Sequence, residues 1–169
     1  DADSEELKIT EVNSGTYLID VEKLLQSADE ITCNNAQGEY YLTDFVEIFA
    51  KKGYDIGAYK TDDKDVVLGV NTRIDLSKIT KVMQRKINEE IMLSGVTLID
   101  PDNTYIDKGV QIGRDTVIWP GTVITGKTII GEHNEIYSSR IVDCIIGNGN
   151  FIEASTLEES VIGNNNKIG

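Results

Sequence analysis

The sequence predicts two fold classes in one chain, an α/β segment followed by an all-β parallel solenoid. Three observations carry this. Helical and strand-like patterns alternate up to about residue 93, as they do in α/β sheets. Lys- and Glu-bearing helical patterning ends near Gly95, where Ile, Val, Gly, Asn and Asp take over. Beyond it, Ile106, Ile112, Ile118, Ile124, Ile130 and Ile136 stand six residues apart without a break. The simplest boundary lies near residues 93–100.

The α/β segment opens with residues 8–20 (KITEVNSGTYLID), read as strand, turn, strand. Thr16, Tyr17, Leu18 and Ile19 favour the second strand. Asp20 can cap a helix through 21–28 with Val21, Leu24 and Leu25 on one face. A helix over 39–51 places Leu42, Phe45, Val46 and Phe49 along a stripe, and Gly53 suits its stop. YDIGAYKT (54–61) and VVLGV (66–70) are further strand candidates. Residues 75–93 form a long amphipathic helix, with Leu76, Ile79, Met83, Ile87 and Ile91 at helical spacing. About 90 residues are too few for a complete doubly wound nucleotide domain, and the chain carries no glycine-rich phosphate loop.

The solenoid follows from the repeat. After Ile136 the spacing becomes five, five, six, through Ile141, Ile146, Ile152, Leu157, Ile162 and Ile168. Residues 136–151 and 152–167 are two copies of one unit, and an Ile-Gly pair recurs at Gly113, Gly131, Gly147 and Gly163. A six-residue step fits neither an α-helix nor an alternating hairpin, and a sandwich would show turn signals every 8–12 residues. Three steps make one turn of a three-sided coil, whose strands stack at ~4.8 Å on the next. The aliphatics point inward, each contributing roughly 1.5–3 kcal/mol when buried, and Gly and Asn serve the corners, where positive φ is common. This pattern resembles the hexapeptide repeat of left-handed parallel β-helices, and the handedness comes from that resemblance alone.

Composition narrows the partners. The chain has 169 residues, 16 basic and 29 acidic, for a net charge of −13. Residues 1–100 hold 20 acids and 11 bases, net −9, and residues 101–169 hold 9 and 5, net −4. That acidity argues against a nucleic-acid or anionic-membrane partner. No apolar run approaches the ~20 residues of a membrane span. Cys33 and Cys144 form no metal or redox motif, so a reducing, cytoplasmic location is the default expectation. The chain begins at Asp1 without Met and stops directly after an Ile-Gly, without a solenoid cap. It is expected to be a segment of something longer.

Three strings now coincide in order: EVNSGTY (11–17), NNAQGEYYLTD (34–44) and GVNTR (69–73), followed by a long helix and coils opening GVTLIDPDNTYID (95–107). Together they closely resemble the bacterial bifunctional N-acetylglucosamine-1-phosphate uridylyltransferase / glucosamine-1-phosphate N-acetyltransferase. The resemblance implies a Rossmann-like nucleotidyltransferase domain, its C-terminal portion over 1–74. A linker helix over 75–95 and the first coils of a left-handed β-helix over 96–169 follow. It implies a cytoplasmic homotrimer that makes UDP-N-acetylglucosamine for the cell wall. One site would join UTP to N-acetylglucosamine 1-phosphate with Mg²⁺. The other would transfer acetyl from acetyl-CoA to glucosamine 1-phosphate.

By that resemblance, Asn71 binds the catalytic Mg²⁺ and contacts UDP-N-acetylglucosamine, and Asn13 contacts its sugar. A neutral amide oxygen is a hard ligand suited to Mg²⁺ beside phosphate. Read from the residues alone, Asn71 is instead a helix N-cap and Asn13 a turn residue. Within 35–41, Gln37 or Glu39 could steady a helix start. His133 reads as a surface or corner residue, Cys144 as packing, and Asp62-Asp63-Lys64-Asp65 as a solvated turn. The family's phosphate loop and metal-binding aspartate, its acetyl-CoA residues and its catalytic histidine have no counterpart here. The isolated chain is therefore expected to be inactive in both reactions. The alternatives are another sugar-1-phosphate nucleotidyltransferase with a β-helix tail, or a non-catalytic trimerisation module.

Overall fold

A computed structural model describes residues 8–11, 13–35 and 37–169 of the chain. They fall into two compact units, Asp1–Gly69 and Val70–Gly169. In the first unit, helix α1 (Val21–Ser27) starts where expected. Asp20 caps it, its carboxylate accepting from the Glu22 and Lys23 N–H groups at 2.9 and 3.2 Å. Its expected apolar face is mostly open, with Val21 and Leu25 exposed. The buried residue is instead Ser27, whose hydroxyl accepts from Lys52 Nζ at 2.8 Å. Lys52 also pairs with Glu30 at 2.5 Å.

Helix α2 (Asp44–Lys51) begins five residues later than the pattern suggested. Asn35 explains the delay. Its Oδ1 accepts from the Gln37 and Glu39 N–H groups, both at 3.2 Å, and its Nδ2 donates to the Glu39 carbonyl. Those bonds hold Asn35, Gln37 and Glu39 in a local arrangement that competes with helix. Tyr41 donates to Gln37 Oε1 at 2.9 Å, a further bond ahead of the helix. From α2, Phe45 is buried, and Phe45, Phe49 and Tyr54 form a chain of ring contacts. The strand candidates in 8–20, 54–61 and 66–70 are not strands among the described residues. A strand exists only as part of a ladder, and these stretches have no ladder partner here. Residues 64–67 instead form a 3-10 turn.

The second unit opens with helix α3 (Arg73–Leu93), two residues earlier than the apolar spacing indicated. Its seam against the first coil departs further from the expected stripe. Leu76 and Met83 are exposed, while Gln84 and Asn88 are buried. Gln84 Nε2 donates to the Thr104 carbonyl at 2.9 Å. Asn88 Nδ2 donates to the Pro101 and Thr104 carbonyls at 2.7 and 2.9 Å. The 3-10 turn Pro101–Asn103 leaves those carbonyls outside any strand ladder, and buried carbonyls need partners.

The β-helix then runs to the end of the unit as three parallel sheets. The first stacks Thr97–Leu98, Val117–Ile118, Glu135–Tyr137, Phe151–Glu153 and Lys167–Ile168. The second stacks Tyr105–Ile106, Val123–Thr125, Arg140–Val142 and Thr156–Glu158. The third stacks Gln111–Ile112, Ile129–Ile130, Ile145–Ile146 and Val161–Ile162. Register is set isoleucine on isoleucine: Ile118 on Ile136 on Ile152, Ile124 on Ile141, and Ile130 on Ile146. Ile118, Ile124, Ile136, Ile141 and Ile152 are fully buried, as the six-residue period requires. Cys144 packs among them.

Polar residues line one corner of the prism. Asn150 Nδ2 donates to Asn134 Oδ1, and Asn166 Nδ2 to Asn150 Oδ1, both at 3.0 Å. The stack satisfies side chains that would be costly to bury alone. The corners use positive φ more broadly than Gly and Asn, taking in Asp115, His133, Ser138, Asp143, Ala154 and Glu159. The Ile-Gly glycines serve a different purpose. A Cβ on Gly113 would lie 2.5 Å from the Gly131 carbonyl carbon, and one on Gly131 or Gly147 would lie 2.8 Å from the oxygen of the next coil's glycine. Gly113, Gly131 and Gly147 are required by close coil-to-coil approach, whereas Gly163 is not.

Candidate functional site

Asn13 lies in the first unit and Asn71 in the second. Asn13 is a turn residue: its Oδ1 accepts from the Gly15 N–H at 2.9 Å, and its Nδ2 is bonded to the Tyr17 hydroxyl. Both halves of its amide are thus engaged locally, and the side chain is exposed. A sugar contact would have to share or displace these bonds.

Asn71 differs, because the cap it could have supplied is made by its neighbour. Thr72 is the N-cap of α3, with extended φ and ψ of −131° and 163°. Its hydroxyl accepts from the Asp75 N–H at 3.1 Å and donates to Asp75 Oδ2 at 2.7 Å. Asp75 Oδ2 in turn accepts from the Thr72 N–H at 3.1 Å, closing a capping box. The helix end is therefore satisfied without Asn71, whose residue is exposed just ahead of it. The N-cap reading of Asn71 is corrected by one position.

The Thr72 hydroxyl holds the Asp75 carboxyl below its ordinary value. The Thr72 N–H, the Lys78 ammonium at 3.9 Å and the Asn71 N–H add to the effect against some desolvation. The threonine and the acid three residues on are a legible capping signature, but the Asn-Thr pair offers two possible caps. The backbone decides between them.

The remaining candidates resolve as structure. His133 is exposed at a corner with φ of 57°. The acidic string caps its own turn, with Asp63 Oδ1 accepting from the Asp65 N–H at 2.9 Å. Among the described residues no group of three or more His, Cys, Asp or Glu could hold a metal ion. One outward feature was not anticipated. Trp119 and Tyr137 stack at 4.8 Å, Tyr137 meets Phe151 at 5.2 Å, and Lys167 Nζ lies 5.4 Å from the Phe151 centroid. The Glu135 carboxylate accepts from the Tyr137 hydroxyl at 2.9 Å and pushes that phenol up. The signal was present as aromatics beside the inward isoleucines, Trp119 after Ile118, Tyr137 after Ile136 and Phe151 before Ile152, but their stacking depends on coil register.

No family model matches the chain. Curated proteins do. It is 56% identical over 144 residues to the bifunctional protein GlmU of Caldanaerobacter subterraneus, a match covering 85% of this chain and 31% of that protein. It is 50% identical over 147 residues to the bifunctional GlmU proteins of Halalkalibacterium halodurans and Enterococcus faecalis, covering 83% of this chain and 32% of each. Over that stretch the chain belongs with the bifunctional GlmU proteins, and it spans about a third of their length (31–32%).

Proposed function

We propose that this chain contributes ligand-binding residues of a nucleotidyltransferase and the base of a β-helix in an enzyme that makes UDP-N-acetylglucosamine. Its assigned parts are residues 1–74 as the end of the nucleotidyltransferase domain, 75–95 as the linker helix, and 96–169 as the first coils. The compartment assigned is the cytoplasm, and no described helix is long and apolar enough to cross a membrane. The observation that carries the reading is Asn71: an exposed amide in GVNTR, released from capping by Thr72 and Asp75.

An amide oxygen in that position suits Mg²⁺, a hard cation that keeps several waters and few protein ligands. Asn71 fits as one such ligand. The other ligands would be phosphate oxygens, water and groups outside the described residues. When bound, Mg²⁺ would neutralise charge on the phosphates as UTP and N-acetylglucosamine 1-phosphate react. The chain's own part is to hold the Asn71 amide rigidly at the head of α3 and to offer Asn13 to the sugar. Acetyl-CoA belongs to the second reaction, and none of the described residues is assigned to it.

The β-helix supports self-association, and a homotrimer is the assembly proposed. The outward side chains of the third sheet are Gln111, Ile129, Ile145 and Val161, with no charge among them. Ile129, Ile145 and Val161 are 44%, 54% and 80% exposed. The other two sheets carry Glu135, Arg140, Glu153, Glu158 and Lys167 outward. In a chain of net charge −13, the uncharged face is where like copies can approach.

The test is a chimera in which this segment replaces the matching third of the Caldanaerobacter GlmU protein. Pyrophosphate release from UTP, Mg²⁺ and N-acetylglucosamine 1-phosphate should survive the exchange and fall at least tenfold in Asn71→Ala. An unaffected Asn71→Ala chimera sinks the reading.

A further inference from the structure

Asn71 sits two residues ahead of α3, next to the N-cap, and its side chain takes no part in capping the helix, so something else must orient it. On its C-terminal side the chain is held by the Thr72–Asp75 pair. Three bonds join them: Thr72 N–H to Asp75 Oδ2 at 3.1 Å, Thr72 Oγ1–H to the same oxygen at 2.7 Å, and Asp75 N–H to Thr72 Oγ1 at 3.1 Å. Together they fix φ and ψ of Thr72, and with them the direction in which the chain leaves toward Asn71. The Asn71 N–H faces the same carboxylate and adds to what keeps it ionised. Farther along, Gln84 and Asn88 anchor α3 to the Pro101–Thr104 carbonyls. The helix is thus a held rod, and the box transmits its position to one exposed amide.

We propose that Thr72 and Asp75 are positioning residues, which aim the Asn71 side chain at its ligand through the capping box rather than touching that ligand. The proposal rests on the Asn71 assignment made above and goes beyond it. It predicts which chemistry position 72 must keep. Serine retains the hydroxyl that closes the box; valine retains the shape and loses it. Glutamate at position 75 can still reach back to the N-cap N–H, and alanine cannot.

Two measurements test this. In the chain as it stands, ¹⁵N relaxation and amide exchange are read at Asn71. Thr72→Val and Asp75→Ala should raise the exchange rate of the Asn71 N–H by about tenfold and disorder its side-chain amide. Thr72→Ser and Asp75→Glu should leave both near wild type. Protection at Ile87 and Ile91 should be unchanged in all four, because the amide anchors lie there, and this shows that α3 still folds. In the chimera, Thr72→Val and Asp75→Ala should raise the half-saturating Mg²⁺ concentration and lower the rate by about tenfold, since small misplacement of a positioning group costs on that order or more. The serine and glutamate variants should stay within twofold.

An Asn71→Ala chimera that loses activity, beside a Thr72→Val chimera that keeps both rate and Mg²⁺ dependence, overturns the positioning role and leaves the Asn71 assignment standing. Unchanged order at Asn71 in Thr72→Val and Asp75→Ala overturns it too. If Asp75→Glu fails as completely as Asp75→Ala while Thr72→Val is active, Asp75 touches the ligand itself and the proposal is wrong. An unaffected Asn71→Ala removes the assignment on which all of this stands.

Discussion

Replacing Gly131 by alanine tests the reason for the Ile-Gly repeat. The added Cβ would stand 2.0 Å from Asn148 Oδ1, 2.8 Å from the Gly147 oxygen and 2.9 Å from the Gly147 carbonyl carbon. Carbon needs about 3.4 Å or more from such atoms, so the next coil must retreat by about half an ångström. Two bonds span that gap: Gly131 N–H to the Ile146 carbonyl and Glu132 N–H to Asn148 Oδ1, both 2.8 Å. Asn148 cannot rotate away without giving up the second. Losing both at ~1 kcal/mol each, with ~1–3 kcal/mol for overpacking, puts Gly131→Ala at about 3–5 kcal/mol destabilising. Gly163→Ala is the matched control. Its Cβ meets nothing nearer than Asn166 Nδ2 at 3.9 Å. It should be neutral or slightly stabilising, through about 0.4–1 kcal/mol of reduced unfolded-state entropy. Urea unfolding followed by Trp119 fluorescence compares the two. Equal midpoints and slopes for Gly131→Ala and Gly163→Ala would refute the close-approach argument.

Other expectations follow from the same geometry. Asn150→Ala removes the middle of the buried amide stack and strands the Asn166 N–H, which bonds Asn150 Oδ1 at 2.9 Å. It should cost about 2–4 kcal/mol in urea unfolding, and a loss under 0.5 kcal/mol would show the stack to be incidental. The Asp75 carboxyl titrates below its ordinary 3.8 in the folded chain. Its contribution is therefore complete above that value and disappears as pH falls through the depressed one. Amide exchange in the first turn of α3 should accelerate below about pH 3.8, and a flat profile there contradicts the box. Ile145→Asp places a charge in the middle of the uncharged third sheet. Light scattering should show association for the wild-type chain and a monomer for the variant; identical masses would remove that face as the contact. The chain alone should release no pyrophosphate from UTP, Mg²⁺ and N-acetylglucosamine 1-phosphate, and turnover clearly above blank would contradict the incomplete-site reading.

Legibility in the sequence varied with how local the deciding physics is. The coils were readable because one isoleucine per side must face inward, and Ile106 to Ile168 keep that period through the change at Ile136. Asp20 and Gly53 were readable because caps and stops are decided within one turn of helix. The start of α2 was hidden by Asn35, a single side chain that binds three backbone groups of its own loop. Residues 54–61 and 66–70 look like strands, since their composition suits a sheet, but composition supplies no ladder partner. Gln84 and Asn88 were invisible as seam residues: polar side chains become core only where a neighbouring turn presents bare carbonyls.

The candidate site divides in the same way. The strings around Asn13 and Asn71 carried the family resemblance, and relatives at 50–56% identity agree on the family. The alternation of sequence could not say whether Asn71 or Thr72 caps α3, because both are able to. That choice depends on the φ and ψ at which the chain enters the helix. By itself, then, the amino-acid order determined the prism and its inward isoleucines, both set by residue type and spacing. Tertiary structure alone decided which glycines are needed for coil contact, which polar groups are buried, and which residue beside Asn71 takes the cap. Those depend on distances between segments far apart in the chain, and spacing along one strand carries no record of them.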